Sequence, residues 1–202
     1  MLTPSLAQRT HWIFDMDGTL TQPAHDFVFA RRTLKIPPHG DILSEIGRRS
    51  IPEQEAAHRW LNAWEEDIAR RAQPQQDAVE LLTWLHDQGC VYGVVTRNTK
   101  PNALLTLEAA GLSKWFPPEV ILGREDAPPK PDPAALNRLL KQWNAAPHQA
   151  VMVGDYIHDS RAGRAAGVAT LLVLRHQETG WQHEADFVVD HLFPLPDDPD
   201  VS

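Results

Sequence analysis

The sequence is short of several things, and each shortage narrows what the chain can be. It holds one cysteine, Cys90, among 202 residues. No disulfide can form within the chain, which excludes a disulfide-stapled extracellular scaffold. Basic residues are the minority, 19 Lys and Arg against 27 Asp and Glu, for a net charge of −8. That balance gives no basic footprint for nucleic acid. No apolar run approaches the ~18 residues of a membrane-spanning helix. The opening MLTPSLAQRTHW lacks the apolar stretch of a secretory signal. Internal repeats are also missing. The expectation is a cytoplasmic protein with neither nucleic acid nor membrane as partner. Cys90, in an apolar run, is expected to be a small buried hydrophobe.

What is present is an alternation of two patterns. Short apolar segments at His11–Asp15, Cys90–Thr96, Val120–Leu122, Ala150–Gly154, Ala169–Leu174 and Phe187–Val189 predict strands. Between them, Ala78–Gln88, Asn102–Ala110, Pro133–Asn144 and Asp159–Ala166 carry helical spacing, three of them closed by Gly89, Gly111 and Gly167. This order predicts an α/β fold with a doubly wound, Rossmann-like parallel sheet. One stretch interrupts it. From about Thr21 to Gln76 the pattern is polar and helical, clearest where Ala57, Trp60, Leu61, Trp64 and Ile68 recur at spacings of three and four. The expected organisation is a core of residues 1–21 and 77–202 with a small helical cap inserted at 22–76. The acidic, proline-rich tail Pro194–Ser202 is expected to be mobile.

Ligands of doubly wound sheets bind beyond the carboxyl ends of the strands, and the chemistry-bearing residues fall there. Asp15 and Asp17, two positions apart, follow the first strand and lead into Gly18-Thr19. Thr96-Arg97-Asn98 ends the second, offering a hydroxyl and backbone amides to an anion. Lys130 stands between prolines ahead of a helix. Asp155 and Asp159 open another helix, four residues apart, so both can face one point. Phosphate-ester hydrolysis needs these residue types. A carboxylate nucleophile gives a covalent intermediate that water then cleaves. A second acid protonates the leaving group and activates the water. Lysine, a hard cation and oriented donors offset the phosphoryl charge.

In this order and spacing the four segments resemble the motifs of the haloacid dehalogenase superfamily, over about Ile13 to Leu174. The helical insertion resembles a type-one cap, as in phosphoglycolate phosphatases and β-phosphoglucomutase relatives. The resemblance implies a magnesium-dependent phosphatase acting on a small phosphorylated metabolite through an aspartyl-phosphate. It implies Asp15 as nucleophile and Mg²⁺ ligand. Asp17 becomes the general acid and base, and lends its backbone carbonyl to the metal. Thr96, with the amides of Arg97 and Asn98, holds the phosphoryl group, and Lys130 neutralises it. Asp155 binds Mg²⁺, with Asp159 as a further or more distant metal partner. An acid at position 17 departs from the dehalogenase branch and argues against halide displacement. A phosphomutase on the same core is the alternative. A phosphorylatable receiver module would share the acids, hydroxyl and lysine, but not a gap of about 80 residues between the first acids and Thr96. Trp60 and Trp64 read as packing within the insertion, and Arg31, Arg32, Arg48 and Arg49 as mostly solvated. His158 lies inside the last motif, and His25 is placed near the site mouth only by its closeness to Asp17.

Overall fold

The structure, a computed structural model, describes residues 5–176 and 179–195. Six strands form one parallel sheet: β1 (His11–Phe14), β2 (Val91–Val95), β3 (Ile121–Leu122), β4 (Ala150–Gly154), β5 (Ala169–Val173) and β6 (Phe187–Val189). Their order is β3-β2-β1-β4-β5-β6. The chain therefore moves outward from β1 in one direction, then crosses back and moves outward in the other. Helices α4 (Gln76–Asp87) and α5 (Lys100–Ala109) cover one face, where Trp12, Phe14, Val94, Val151 and Val153 join Leu81, Leu85 and Leu107. Helices α6 (Ala134–Trp143) and α7 (Ile157–Ala166) cover the other, where Ile13, Val95 and Met152 meet Leu136, Leu139 and Ala162. Successive strand residues point to opposite faces, so the continuous apolar runs feed two cores at once. The two halves diverge between β1 and β4, and a crevice opens there at the carboxyl ends of the strands.

Between β1 and α4 the chain leaves the sheet and returns. The outgoing and incoming crossings lie side by side: Gln22 N–H donates to Gln73 O, and Gln75 N–H to Leu20 O, each at 2.9 Å. The excursion holds α1 (Phe27–Thr33), α2 (Ile42–Gly47) and α3 (Ile51–Ala69). Asp26 and Asp41 cap the first two through bonds to Phe29 N and Ser44 N. Leu34, Ile36, Ile46, Ala57 and Leu61 form a small core of their own, with Trp60 and Trp64 packed against it. The two indoles stack on each other, centroids 5.7 Å apart.

Some local expectations need correction. Val120 belongs to a 3-10 turn, Pro118–Val120, so β3 has two residues. Cys90 is only half-buried and precedes β2. It follows the turn at Gly89, where the chain is still rising from the surface, and its thiol lies 3.6 Å from Arg9 O. Of the tail expected to be mobile, residues 196–202 lie outside the described residues.

Helix α7 packs unusually close to the sheet. A Cβ on Gly163 would lie 2.5 Å from Thr170 Cγ2 and 3.0 Å from Met152 Cβ. Helix propensity favours alanine there by about 1 kcal/mol, whereas overpacking costs about 1–3 kcal/mol. Packing is the larger effect, so Gly163→Ala should destabilise the protein by up to about 2 kcal/mol. Urea denaturation measures it, and a more stable variant would contradict the packing argument.

Candidate active site

Asp15 is the first residue past β1, and its amide donates to Val153 O of β4 at 2.8 Å. It therefore stands at the point where the sheet divides. The next residues fold tightly: Met16 O accepts from the amides of Leu20 at 2.9 Å and Thr21 at 3.0 Å. Gly18 takes a φ of +86°, and a Cβ there would lie 2.2 Å from Asp155 Oδ2. Only glycine lets the turn pass so near that carboxylate. A Cβ on Gly154, at the end of β4, would likewise lie 2.3 Å from Asp159 Cγ. The glycines flanking the acids are thus what allows the acids to crowd.

Lys130 enters this crowd ahead of α6, its side chain 1% exposed. Its ammonium donates to Asp15 Oδ1 at 2.5 Å and to Val95 O at 2.6 Å, and lies 2.8 Å from Asp159 Oδ1. All three donors are engaged. One carboxylate oxygen from each of Asp15, Asp155 and Asp159 lies within 4.8 Å of the other two. Thr19 Oγ1 stands 3.5 Å from Asp155 Oδ1. Asp159 also accepts from Tyr156 N at 3.1 Å, so it serves α7 as a first-turn acid and the cluster as a partner of Lys130.

The other expected residues surround this group. Thr96 is buried, and its hydroxyl accepts from Asn98 N at 3.0 Å. The Lys130 bond to Val95 O fixes the strand end beside it. His25 Nδ1 lies 3.6 Å from Asp17 Oδ1, and Asn98 is near enough to Asp17 to hold its acidity down. Arg97 turns its guanidinium away, onto Asp41 at 2.6 Å. His158 also approaches Asp41, 3.7 Å away.

Burial and crowding reshape the acidities. Asp15 is pushed up to about 7, first by burial, with Lys130 opposing and Asp159 adding. Asp155 is raised well above the carboxylate range by burial and by Asp15 and Asp159. Asp17 rises to about 6 through burial, with Lys130 and Asn98 holding it down. Burial favours the neutral amine of Lys130, yet its acid neighbours outweigh that and keep it charged. The donors are hard oxygens, and positive charge falls short of negative charge. Both facts fit a small hard divalent cation.

The excursion reaches this region through polar contacts that sequence reading did not anticipate. Arg124, after β3, grips Glu65 of α3 with both terminal nitrogens, at 2.8 and 2.9 Å, and reaches Asn62 Oδ1 at 2.6 Å. Asp41 pairs with Arg97. No local signal in the sequence pointed Asp41 at Arg97. Arg31 and Arg49 bind carbonyls of Gly40 and Leu34, and Arg48 pairs with Glu45, all within the excursion. A cleft of about 410 Å³ lies between excursion and sheet, lined by residues including Asn62, Thr99, Arg124 and Pro129.

Lys130→Met removes the one ammonium among these acids. Breaking a buried pair costs about 3–5 kcal/mol. Without the ammonium Asp15, Asp17 and Asp155 lose the charge that holds their acidities down and titrate higher in the folded state, so the variant loses stability as pH rises. The loss should be full near about pH 8 and small near about pH 5. Urea melts at both values measure it; a loss independent of pH would contradict the charge argument.

Comparison with known proteins agrees with this geometry. A family model described as haloacid dehalogenase-like hydrolase matches residues 12–173. A haloacid dehalogenase-like hydrolase domain-containing protein of Arabidopsis thaliana is 31% identical over 194 residues, covering 90% of this chain and 76% of that protein. N-acetylmuramic acid 6-phosphate phosphatase of Pseudomonas aeruginosa is 28% identical over 210 residues, covering 92% of each. A crystal structure of a hydrolase from Pseudomonas syringae has the same fold, with a TM-score of 0.74 at 23% identity over 90% of this chain and 93% of the other. With acids and lysine gathered at the sheet's dividing point and the match spanning β1 to β5, the chain belongs to the haloacid dehalogenase-like hydrolase family.

Proposed function

We propose that the chain is a phosphatase that hydrolyses a small phosphomonoester through an aspartyl-phosphate on Asp15. One observation carries this: the Asp15 carboxylate stands at the open end of the sheet, 2.5 Å from a buried ammonium and beside two further acids. In the first half-reaction an Asp15 oxygen attacks phosphorus in line, and the bond from phosphorus to the ester oxygen breaks. Asp17 gives its proton to the departing alkoxide. In the second, Asp17 takes a proton from water, the oxygen of that water attacks phosphorus, and the bond to Asp15 breaks to release phosphate. An acid raised to about 6 is suited to both directions of transfer near neutral pH. Lys130 holds Asp15 and offsets the charge of the incoming group. Thr96 and the Arg97 amide are the donors for the phosphoryl oxygens, and the Asn98 amide, which donates to the Thr96 hydroxyl, would join them by turning from it.

Magnesium would be held by Asp15, Asp155 and the Asp17 carbonyl, and would supply positive charge against the phosphoryl oxygens. Asp159 spends one oxygen on Lys130 and the other on the Tyr156 amide, which suits it to hold the ligands in place. The excursion over residues 22–76 is the cap, and it reads the leaving group. The phosphatase-named relative in Pseudomonas aeruginosa supports the reaction class.

Asp15→Asn should abolish magnesium-dependent phosphate release, measured across a panel of small phosphomonoesters. The fall should be at least about 10³-fold, the scale of losing a nucleophile. Turnover retained by this variant would sink the reading. An isomerised sugar phosphate in place of free phosphate would favour a mutase.

Metal binding should depend on pH. With Asp15 near 7 against an ordinary 3.8, the metal-free folded protein binds more protons than the unfolded chain between those values. Its stability therefore falls as pH rises through that window. Magnesium competes with the same protons. At about 100 times its Kd it adds about 2.7 kcal/mol, or about 5–10 °C in Tm for this size of chain. That increment should appear near about pH 8 and largely vanish near about pH 5. Equal increments at both would contradict the assignment of these acids as ligands.

A further inference from the structure

We infer that Arg175 is a positioning residue for the loop that carries Asp17, acting through the backbone of Thr19; the link to turnover rests on the reading above. Arg175 follows the end of β5, 156 residues from Thr19 in sequence, and donates from one terminal nitrogen to Thr19 O at 3.1 Å. Its other terminal nitrogen pairs with Asp77, at the start of α4. The same Asp77 oxygen accepts from Leu192 N at 2.8 Å. The fork therefore ties three chain segments to one carbonyl. That carbonyl needs a donor: Thr19 is fully buried, and the amides of its own turn bond to Met16 O and Thr21 O instead.

Two features show that the fork is held in place. Arg175 and the next residue, His176, both take positive φ, 53° and 62°. Two consecutive non-glycine residues in that region are unfavourable, and persist when surrounding structure over-determines them. The Arg175 side chain is 17% exposed and Asp77 12%, so the pair is largely withdrawn from water at the edge of an open cleft. The route onward is short. Thr19 Oγ1 stands 3.5 Å from Asp155 Oδ1, and Thr19 lies two residues from Asp17. A shift of the Thr19 backbone would move both the proton donor and a carboxylate of the acid cluster. It would leave Thr96 and Lys130, on other loops, where they are.

Lysine at 175 keeps the charge but presents its donors from one nitrogen, and so loses the planar two-nitrogen fork that spans Asp77 and Thr19 O. The test compares wild type, Arg175→Lys and Arg175→Ala by thermal melting, by hydrogen exchange of residues 16–21 against β2, and by phosphate release at varied magnesium. Arg175→Lys should stay folded with a Tm near wild type. In both variants exchange of the 16–21 amides should quicken while that of β2 is unchanged. Turnover should fall about ten- to a hundred-fold with KM little moved, and the magnesium needed for half-maximal activity should rise. Free guanidinium should restore part of the activity of Arg175→Ala. Unchanged exchange at 16–21 in both variants would overturn the inference whatever the activity. So would a loss of turnover that follows the folded fraction alone, with the magnesium requirement unmoved. If wild type releases no phosphate, the phosphatase reading fails, and hydrogen exchange still decides whether Arg175 holds the loop.

Discussion

Three carboxylates, Asp159 buried and Asp15 and Asp155 partly so, meet one buried ammonium at the dividing point of the sheet, and the charges do not cancel. Lys130 satisfies Asp15 and Asp159 directly, and its third bond, to Val95 O, anchors it to the end of β2. Asp155 has no such partner close by; its contact is the Thr19 hydroxyl at 3.5 Å. Burial, with the repulsion of neighbouring acids added, makes Asp15 and Asp155 hold protons more tightly than isolated carboxylates do. A cluster arranged only for stability would not be built this way, because isosteric apolar residues would avoid the cost of burying charge. The residual negative charge is what makes the group receptive to a cation, and the lysine sets how much of it remains. A site of fixed geometry with unbalanced charge is ready to act when the missing charge arrives.

The fold makes that imbalance sustainable by confining it. β1 and β4 are the central strands, and their buried residues fill the two cores from opposite faces. Each ends in a glycine-flanked turn, and in both turns a side chain at the glycine would collide with an acid. The apolar cores supply the stability, and the strand ends hold the strain. The close approach of α7, with Gly163 against Thr170 and Met152, has the same purpose. It brings the first turn of that helix, carrying Asp159, to the level of Asp15.

What could be read from the sequence was what is encoded locally. Asp15-x-Asp17-Gly18-Thr19 and Gly154-Asp155-x-x-x-Asp159 are short-range patterns, so spacing alone suggested which side chains share a face. Strands β4 and β6 end where the apolar runs end, because a run buried on both faces has sharp limits. Strand β3 was overestimated: Val120 is apolar and buried, but its neighbours Pro117 and Pro118 favour a 3-10 turn. The long-range ion pairs were not legible. Arg124 and Glu65 lie 59 residues apart, Arg97 and Asp41 56, Arg175 and Asp77 98. Nothing in the sequence around any of these residues distinguishes it from an ordinary solvated charge. Partners of that kind are chosen by the fold after the elements are placed.

Those long-range pairs also define how the excursion meets the sheet. Its own core is small, five buried residues with two stacked indoles against it, and its link to the strands is polar. Arg124 takes Glu65 in a two-pronged pair with both side chains nearly buried, and Arg97 takes Asp41 in a half-exposed one. The two pairs are not equal. A buried forked pair is geometrically demanding and costly to break, whereas a half-exposed pair contributes roughly 1 kcal/mol or less. Arg97 follows Thr96 directly, and His158 directly precedes Asp159, and both reach the same carboxylate. The excursion is thus held firmly on the Glu65 side and lightly on the Asp41 side. If it opens, the Asp41 side should part first, uncovering Thr96 and Asp159 while Arg124 keeps α3 in register with the sheet.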